Sequence, residues 1–228
     1  MKFNQFFKDK TIYLISVLII SLLLIFTNPN IIIGILSCIV FCITSVILMY
    51  KNYQKEIELK SNLASYNFFS SFLSSLLLQK SCKTSYESAC RYILGYTKSY
   101  TYEEIIENPS LINLHSYQEY FDFIISKEKS NSILLPDYTI LIQDIDNAYN
   151  KIANNLTFSN RCLRLSILSY ILFLLIFVVI LSTNNMISSA LKSTSFCILS
   201  GLILAIGLPL LLFLNYRNFK ELTKWNWR

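Results

Sequence analysis

Residues 31–78 read IIIGILSCIV FCITSVILMY KNYQKEIELK SNLASYNFFS SFLSSLLL, and the change of character at Lys51 decides the fold. Ile31–Tyr50 contains no Asp, Glu, Lys, Arg or His. As a helix rising ~1.5 Å per residue it is long enough for a hydrocarbon core of ~30 Å. Lys51–Lys60 is charged, and from Asn62 apolar residues return at three- and four-residue steps: Leu63, Tyr66, Phe68, Phe69, Phe72, Leu73, Leu76 and Leu77. That period is helical. No proline interrupts the stretch, so a single helix is expected to begin in a membrane and end in a polar domain.

Three further uncharged runs flank this one: Ile12–Phe26 ahead of it, and Leu165–Leu181 and Phe196–Leu214 toward the C-terminus. The polar interval Lys51–Cys162 lies between the two pairs. With 54% hydrophobic residues and a mean hydropathy of +0.46, concentrated in these runs, the composition fits a polytopic membrane protein. The expected fold class is all-α, with four transmembrane helices in two hairpins flanking a cytoplasmic helical bundle of about five helices. Its parts are 1–50, an N-terminal tail and hairpin; 51–162, the helical domain; 163–216, the second hairpin; and 217–228, a basic aromatic tail. The N-terminus resembles a secretory signal, but Thr27-Asn28-Pro29-Asn30 makes a tight uncharged turn in place of a cleavage site, so an uncleaved first span is expected.

Charge sets the orientation. Lys2, Lys8 and Lys10 precede the first run, Lys51, Lys55 and Lys60 follow the second, and Arg161 and Arg164 precede the third. Arg217, Lys220, Lys224 and Arg228 follow the fourth. The turn at residues 27–30 carries no charge, and the loop between the last two runs carries only Lys192. Positive residues gather on the cytoplasmic side, which places both termini and residues 51–162 there, in a cell-membrane protein. Asn155-Leu156-Thr157 then faces the cytoplasm and is a chance sequon. The net charge of +6 follows from this topology, because residues 61–160 hold seven Lys/Arg against ten Asp/Glu. A nucleic-acid partner is therefore not expected. The absence of intramembrane charge weighs against a pump, an ion-coupled transporter or a voltage sensor.

Gly34, Gly201, Ala205 and Gly207 are small residues suited to close helix approach, and Pro209 is expected to kink the fourth span. In the polar domain, Thr84-Ser85-Tyr86-Glu87, Thr101-Tyr102-Glu103-Glu104 and Ser116-Tyr117-Gln118-Glu119 each have the form of a capping box. The first opens a short helix with Ala89, Tyr92 and Ile93 inward, ending near Gly95. The second opens a helix of about two turns ending before Pro109. The third leads into Tyr120, Phe121, Ile124 and Ile125. After Pro136-Asp137, Tyr138, Leu141, Ile145, Ala148, Ile152 and Leu156 recur helically, and nothing breaks the chain before the third span ends. A helix of about 45 residues, ~67 Å long, is expected. In the tail, Phe219, Leu222 and Trp225 share a face ringed by Lys220, Lys224 and Arg228, with Trp227 nearby, which fits an interfacial anchor.

The search for chemistry is empty. The six cysteines include no CxxC, and His115 is the sole histidine, so no metal site is expected. Four glycines cannot build a phosphate-cradling loop, and no nucleophile or paired-carboxylate motif occurs. Asp144 and Asp146, two apart on a helix, do not share a face. Neither a catalytic residue nor a cofactor is expected. Glu103, Glu104 and Glu107 are the densest acidic group, and at the start of a helix carboxylates are stabilised by its dipole.

Phe68–Leu78, followed by a turn and Ser85-Tyr86-Glu87-Ser88-Ala89, resembles the opening of the F domain of type II secretion and type IV pilus platform proteins. That domain begins with a helix patterned Phe-x-x-x-Leu-x-x-Leu-Leu, a tight turn, and a second helix carrying Glu-Ala-Leu. The overall layout is similar to the Tad (tight adherence) branch. Lys80-Ser81-Cys82-Lys83 replaces the family's turn glycine, and Cys90 stands where leucine is usual. The resemblance implies a non-enzymatic platform that self-associates and couples a cytoplasmic secretion ATPase to pilin-like subunits. Candidate partner contacts are then Lys80 and Lys83 on one loop and Glu103, Glu104 and Glu107 on another. A membrane-bound helical adaptor or sensor, or an exporter subunit without a catalytic role, is the alternative reading of the same layout.

Overall fold

A computed structural model of the chain describes residues 3–28, 30–78, 81–94, 100–114, 117–129, 138–183, 189 and 194–224. Lys80, Gly95, His115, Ser116, Pro136, Asp137, Trp225, Trp227 and Arg228, on which expectations above rest, lie outside them. Among the described residues every extended regular element is helical: α1 Phe3–Asp9, α2 Thr11–Thr27, α3 Ile31–Leu77, α4 Cys82–Ala89, α5 Tyr102–Glu107, α6 Gln118–Lys129, α7 Tyr138–Thr183 and α8 Thr194–Lys224. Short 3-10 turns, Cys90–Tyr92 and Pro109–Leu111, follow α4 and α5. Among the described residues three helices, α3, α7 and α8, are long and apolar enough to cross a membrane; α2 is a shorter apolar helix of 17 residues. The two unbroken helices expected from periodicity are present, with 47 residues in α3 and 46 in α7.

The chain divides into two compact units. The first comprises residues 1–54 and 158–218. Here Asn28 caps the end of α2, its Oδ1 accepts from the Asn30 amide, and Asn30 Oδ1 accepts from the Ile32 amide at 3.0 Å to open α3. At Asn30 the side-chain oxygen takes a backbone donor that a helix start leaves open, and at Asn28 the same short side chain accepts from the amide two residues on and so turns the chain. Gly34 lies against Ile25, and Phe6 packs edge-on to Tyr50 at 5.4 Å, so α1–α2 and α3 run antiparallel. Asn28 Nδ2 donates to the Cys197 carbonyl at 3.1 Å, and Asn52 Nδ2 donates to that of Leu212 at 2.9 Å, which makes α3 and α8 parallel. Tyr170 donates to the Leu204 carbonyl and its ring abuts Gly207, joining α7 to α8 in the turn before Pro209. Side chains such as Leu18, Leu36, Leu172 and Leu202 point outward, as expected of helices that face lipid.

Gly201 and Gly207 are the tightest of these approaches, and Gly201 meets two neighbours. A Cβ there would lie 2.8 Å from Ser37 Oγ and 3.0 Å from Asn28 Nδ2. Gly201→Leu is expected to force α8 from α3, break the Asn28–Cys197 hydrogen bond and cost about 1–3 kcal/mol, the usual range for overpacking. A lowered midpoint of thermal unfolding in detergent would show it; an unchanged midpoint would place α8 elsewhere.

The second unit comprises Lys55–Thr157 with Phe219–Arg228. Its centre is the face of α3 that carries Tyr66, Phe68, Phe69, Phe72, Leu73 and Leu76, all buried. Phe121 of α6 meets Phe68, Phe69 and Phe72 with ring centroids 6.0, 5.9 and 5.5 Å away. Ile145, Ile152 and Leu156 of α7 close the core, and Ser70 Oγ donates to Asp146 Oδ1 at 2.9 Å. Asp146 is thus a tie between α3 and α7.

Three local expectations need correction. Ser81, not Thr84, caps α4, accepting from the Thr84 amide at 3.2 Å. The earlier start has a packing reason: it puts Cys82, Tyr86 and Ala89 on one buried stripe at i, i+4 and i+7. Tyr120 points out rather than in, because the phase of α6 is set by Phe121, Ile124 and Ile125. Phe219 is fully buried in the core of the second unit, so it is not part of a lipid-facing anchor. The capping box at Thr101 is present as expected, with Glu104 reaching back to the Thr101 amide at 2.8 Å.

Candidate partner-contact site

Two surface features of the second unit have the chemistry of a protein contact. The first is charged. Lys83 sits in the first turn of α4, and Glu103 in the first turn of α5. Tyr86 holds the two helices together: its buried ring lies against Tyr102 at 5.7 Å and its hydroxyl donates to the Tyr100 carbonyl at 2.6 Å. Burial, with smaller contributions from Cys90 and Glu104, pushes the Tyr86 hydroxyl up, so it remains a donor throughout the ordinary pH range. Burial likewise raises the Cys90 thiol, which suits packing rather than reactivity.

On this support Lys83 Nζ meets Glu103 Oε1 at 3.2 Å, with the side chains 55% and 70% exposed. At that exposure the pair is screened by water and adds little to stability. It places both charges at one corner of the unit. The structure therefore brings together two of the five residues singled out from the sequence. Glu104 is occupied by its capping box, Glu107 is exposed in the last turn of α5, and Lys80 lies outside the described residues. The Glu103 carboxyl is held below its ordinary range, first by its own backbone amide and then by Lys83. A lowered folded value favours the ionised corner above the ordinary carboxylate range, and that preference is lost as pH falls through the lowered value. An NMR titration is expected to find Glu103 below a free-peptide glutamate, with Lys83→Ala restoring only part of the difference. Complete restoration would make Lys83 the main cause.

The second feature is aromatic and was not singled out from the sequence. Tyr120 and Phe123, at i and i+3 on α6, are 54% and 50% exposed, with Lys127 Nζ 5.5 Å from the Phe123 ring centroid. Aromatic side chains are enriched at protein interfaces relative to the rest of the surface. The signal was available: at ~100° per residue, fixing Phe121 and Ile124–Ile125 inward turns Tyr120 and Phe123 out. The residues that carry the F-domain resemblance, Phe68–Leu78 and Ser85–Ala89, are by contrast largely core, with Phe68, Phe69, Phe72, Leu73, Leu76, Tyr86 and Ala89 buried and Leu78 exposed.

Among the described residues no group of His, Cys, Asp or Glu is arranged to hold a metal ion. No protein-family model, curated protein or solved structure matches the chain.

Proposed function

We propose that this chain is a non-enzymatic multi-pass membrane scaffold whose helical domain, on the cytoplasmic side, binds a soluble protein partner through the Lys83–Glu103 corner and the Tyr120–Phe123 face of α6. The observation that carries the reading is the continuity of α3 and α7, each running without a break from an apolar stretch into the polar domain. A partner held by the domain would act on helices rooted in lipid. Together with α2 and α8 these helices would make four spans in two hairpins, the 17-residue α2, at about 25 Å, being accommodated by local thinning. The distribution of Lys and Arg supports cytoplasmic termini. The F-domain resemblance supports a secretion ATPase as the partner, pilin-like subunits as the cargo and a homo-oligomeric platform.

Charge reversal tests the partner. Lys83→Glu sets like charges against Glu103, whereas the double variant Lys83→Glu/Glu103→Lys restores the internal pair while inverting the surface. Both variants are expected to insert normally and to lose co-purification of the ATPase by about tenfold, as for loss of a good charge pair. Unchanged co-purification with the double variant would sink the assigned contact. A reporter fused after residue 228 that becomes active outside the cytoplasm would sink the topology. A monomer on a blue-native gel would remove self-association.

A further inference from the structure

Between α2 and α7, within the first unit, runs a groove of about 390 Å³. Its walls are Ile12, Ile167, Leu168 and Ile171, with Tyr13 and Ser16 on the α2 side and Asp9 and Arg164 at one end. Ile12 is 78% exposed and Leu168 65%, so the groove opens on the outward apolar surface of these helices. Its end is polar and built. Arg164 Nε donates to the Tyr13 hydroxyl at 3.0 Å, which fixes the plane of the guanidinium there. Lys10 Nζ lies 5.2 Å from the Tyr13 ring centroid and 5.8 Å from that of Tyr53. Asp9, the carboxylate among the described lining residues, accepts from the Tyr53 hydroxyl at 2.5 Å. Arg164 in the lining and Lys10 over the Tyr13 ring thus bring two cations to this end of the groove.

We propose that this groove binds one anionic phospholipid, with an acyl chain along the isoleucine and leucine walls and the phosphate at Arg164. The inference rests on the membrane embedding of the first unit and not on the partner-binding half of the proposed function, so either can fail alone. An apolar trough ending in a planar guanidinium suits a phosphodiester joined to a hydrocarbon chain, since the guanidinium fork donates paired hydrogen bonds to phosphate oxygens. Basic pockets between membrane helices at the cytoplasmic side have this character. A zwitterionic lipid gains the same apolar contact but brings no net charge to the mouth.

The full chain, purified in a neutral detergent, would be titrated with phosphatidylglycerol or with phosphatidylcholine of the same acyl chains, and bound lipid counted by native mass spectrometry. Phosphatidylglycerol is expected to be retained at about tenfold lower concentration, the effect of one charge-assisted hydrogen bond. Arg164→Gln should abolish that preference, while Arg161→Gln, exposed one turn earlier on α7 and outside the groove lining, should preserve it. Ile171→Trp, which fills the trough without touching charge, should lower retention of both lipids, and it decides the matter if Arg164→Gln does not fold. Equal retention of the two lipids, equal loss with Arg161→Gln, unchanged retention with Ile171→Trp, or displacement of the lipid by millimolar inorganic phosphate would each overturn the proposal.

Discussion

Phe121→Ala is expected to destabilise the helical domain by about 3–5 kcal/mol, the range for emptying a buried phenylalanine site. Phe121 is the one α6 ring that meets three α3 rings, Phe68, Phe69 and Phe72. Its loss removes the apolar transfer term and leaves a cavity that rings fixed along one helix cannot collapse to fill. The adjacent Ile124 and Ile125 are also buried, so α6 would stay attached but loosened. Hydrogen–deuterium exchange on the full chain should show faster exchange in residues 118–127 and in the second half of α3, with the apolar first half of α3 unchanged. Unaltered protection of α6 would mean that the aromatic cluster does not hold it. Tyr120→Ala, one residue away and exposed, should leave protection nearly unchanged, and this contrast separates the core of α6 from its exposed face.

The second large effect concerns the first unit. Asn52 Nδ2 donates to the carbonyls of Leu48 and Leu212, both at 2.9 Å, Asn215 Nδ2 donates to Asn52 Oδ1 at 3.1 Å, and Ser159 donates to Asn215 Oδ1. This chain of hydrogen bonds ties α3, α7 and α8 together, with Asn52 and Ser159 buried. Asn52→Leu removes the acceptor of Asn215 and strands its amide, a cost of about 1–3 kcal/mol. Single interhelical hydrogen bonds in bilayers average nearer ~0.6 kcal/mol, so the effect depends on the stranded amide more than on the bond. The triple variant Asn52→Leu/Asn215→Leu/Ser159→Ala should therefore be more stable than Asn52→Leu alone, because it leaves no member of the chain without its partner. Unfolding in mixed detergent micelles measures both. Additive losses would show that the three side chains are not coupled.

These particulars show what can be read from one dimension. The lengths of α3 and α7 were legible because unbroken helical periodicity is a local property of the chain, and no proline stands in either. The cap at Thr101 was legible for the same reason: its box closes within four residues. The cap at Ser81 was not, since two serine/threonine starts overlap there and the choice falls to the burial of Cys82. Tyr120 and Phe219 were misplaced because their exposure depends on which neighbours arrive from elsewhere. Lys83 and Glu103 were each visible as charge, yet their meeting follows from Tyr86 holding α4 to α5. The asparagine network gave no signal at all, its members being far apart in sequence and ordinary by composition.

What the sequence determined by itself, then, was the all-helical class, the apolar stretches and the two helices that run from them into a polar domain. Hydrophobic period and helix-end chemistry act over a few residues and need no partner. Only the tertiary structure decided that Asn52, Ser159 and Asn215 form one network, that Tyr13 and Arg164 share a groove, and that Lys83 and Glu103 share a corner. Each of these depends on the register between helices, which is set by shape at positions such as Gly201 and Phe121 and is written in no single segment.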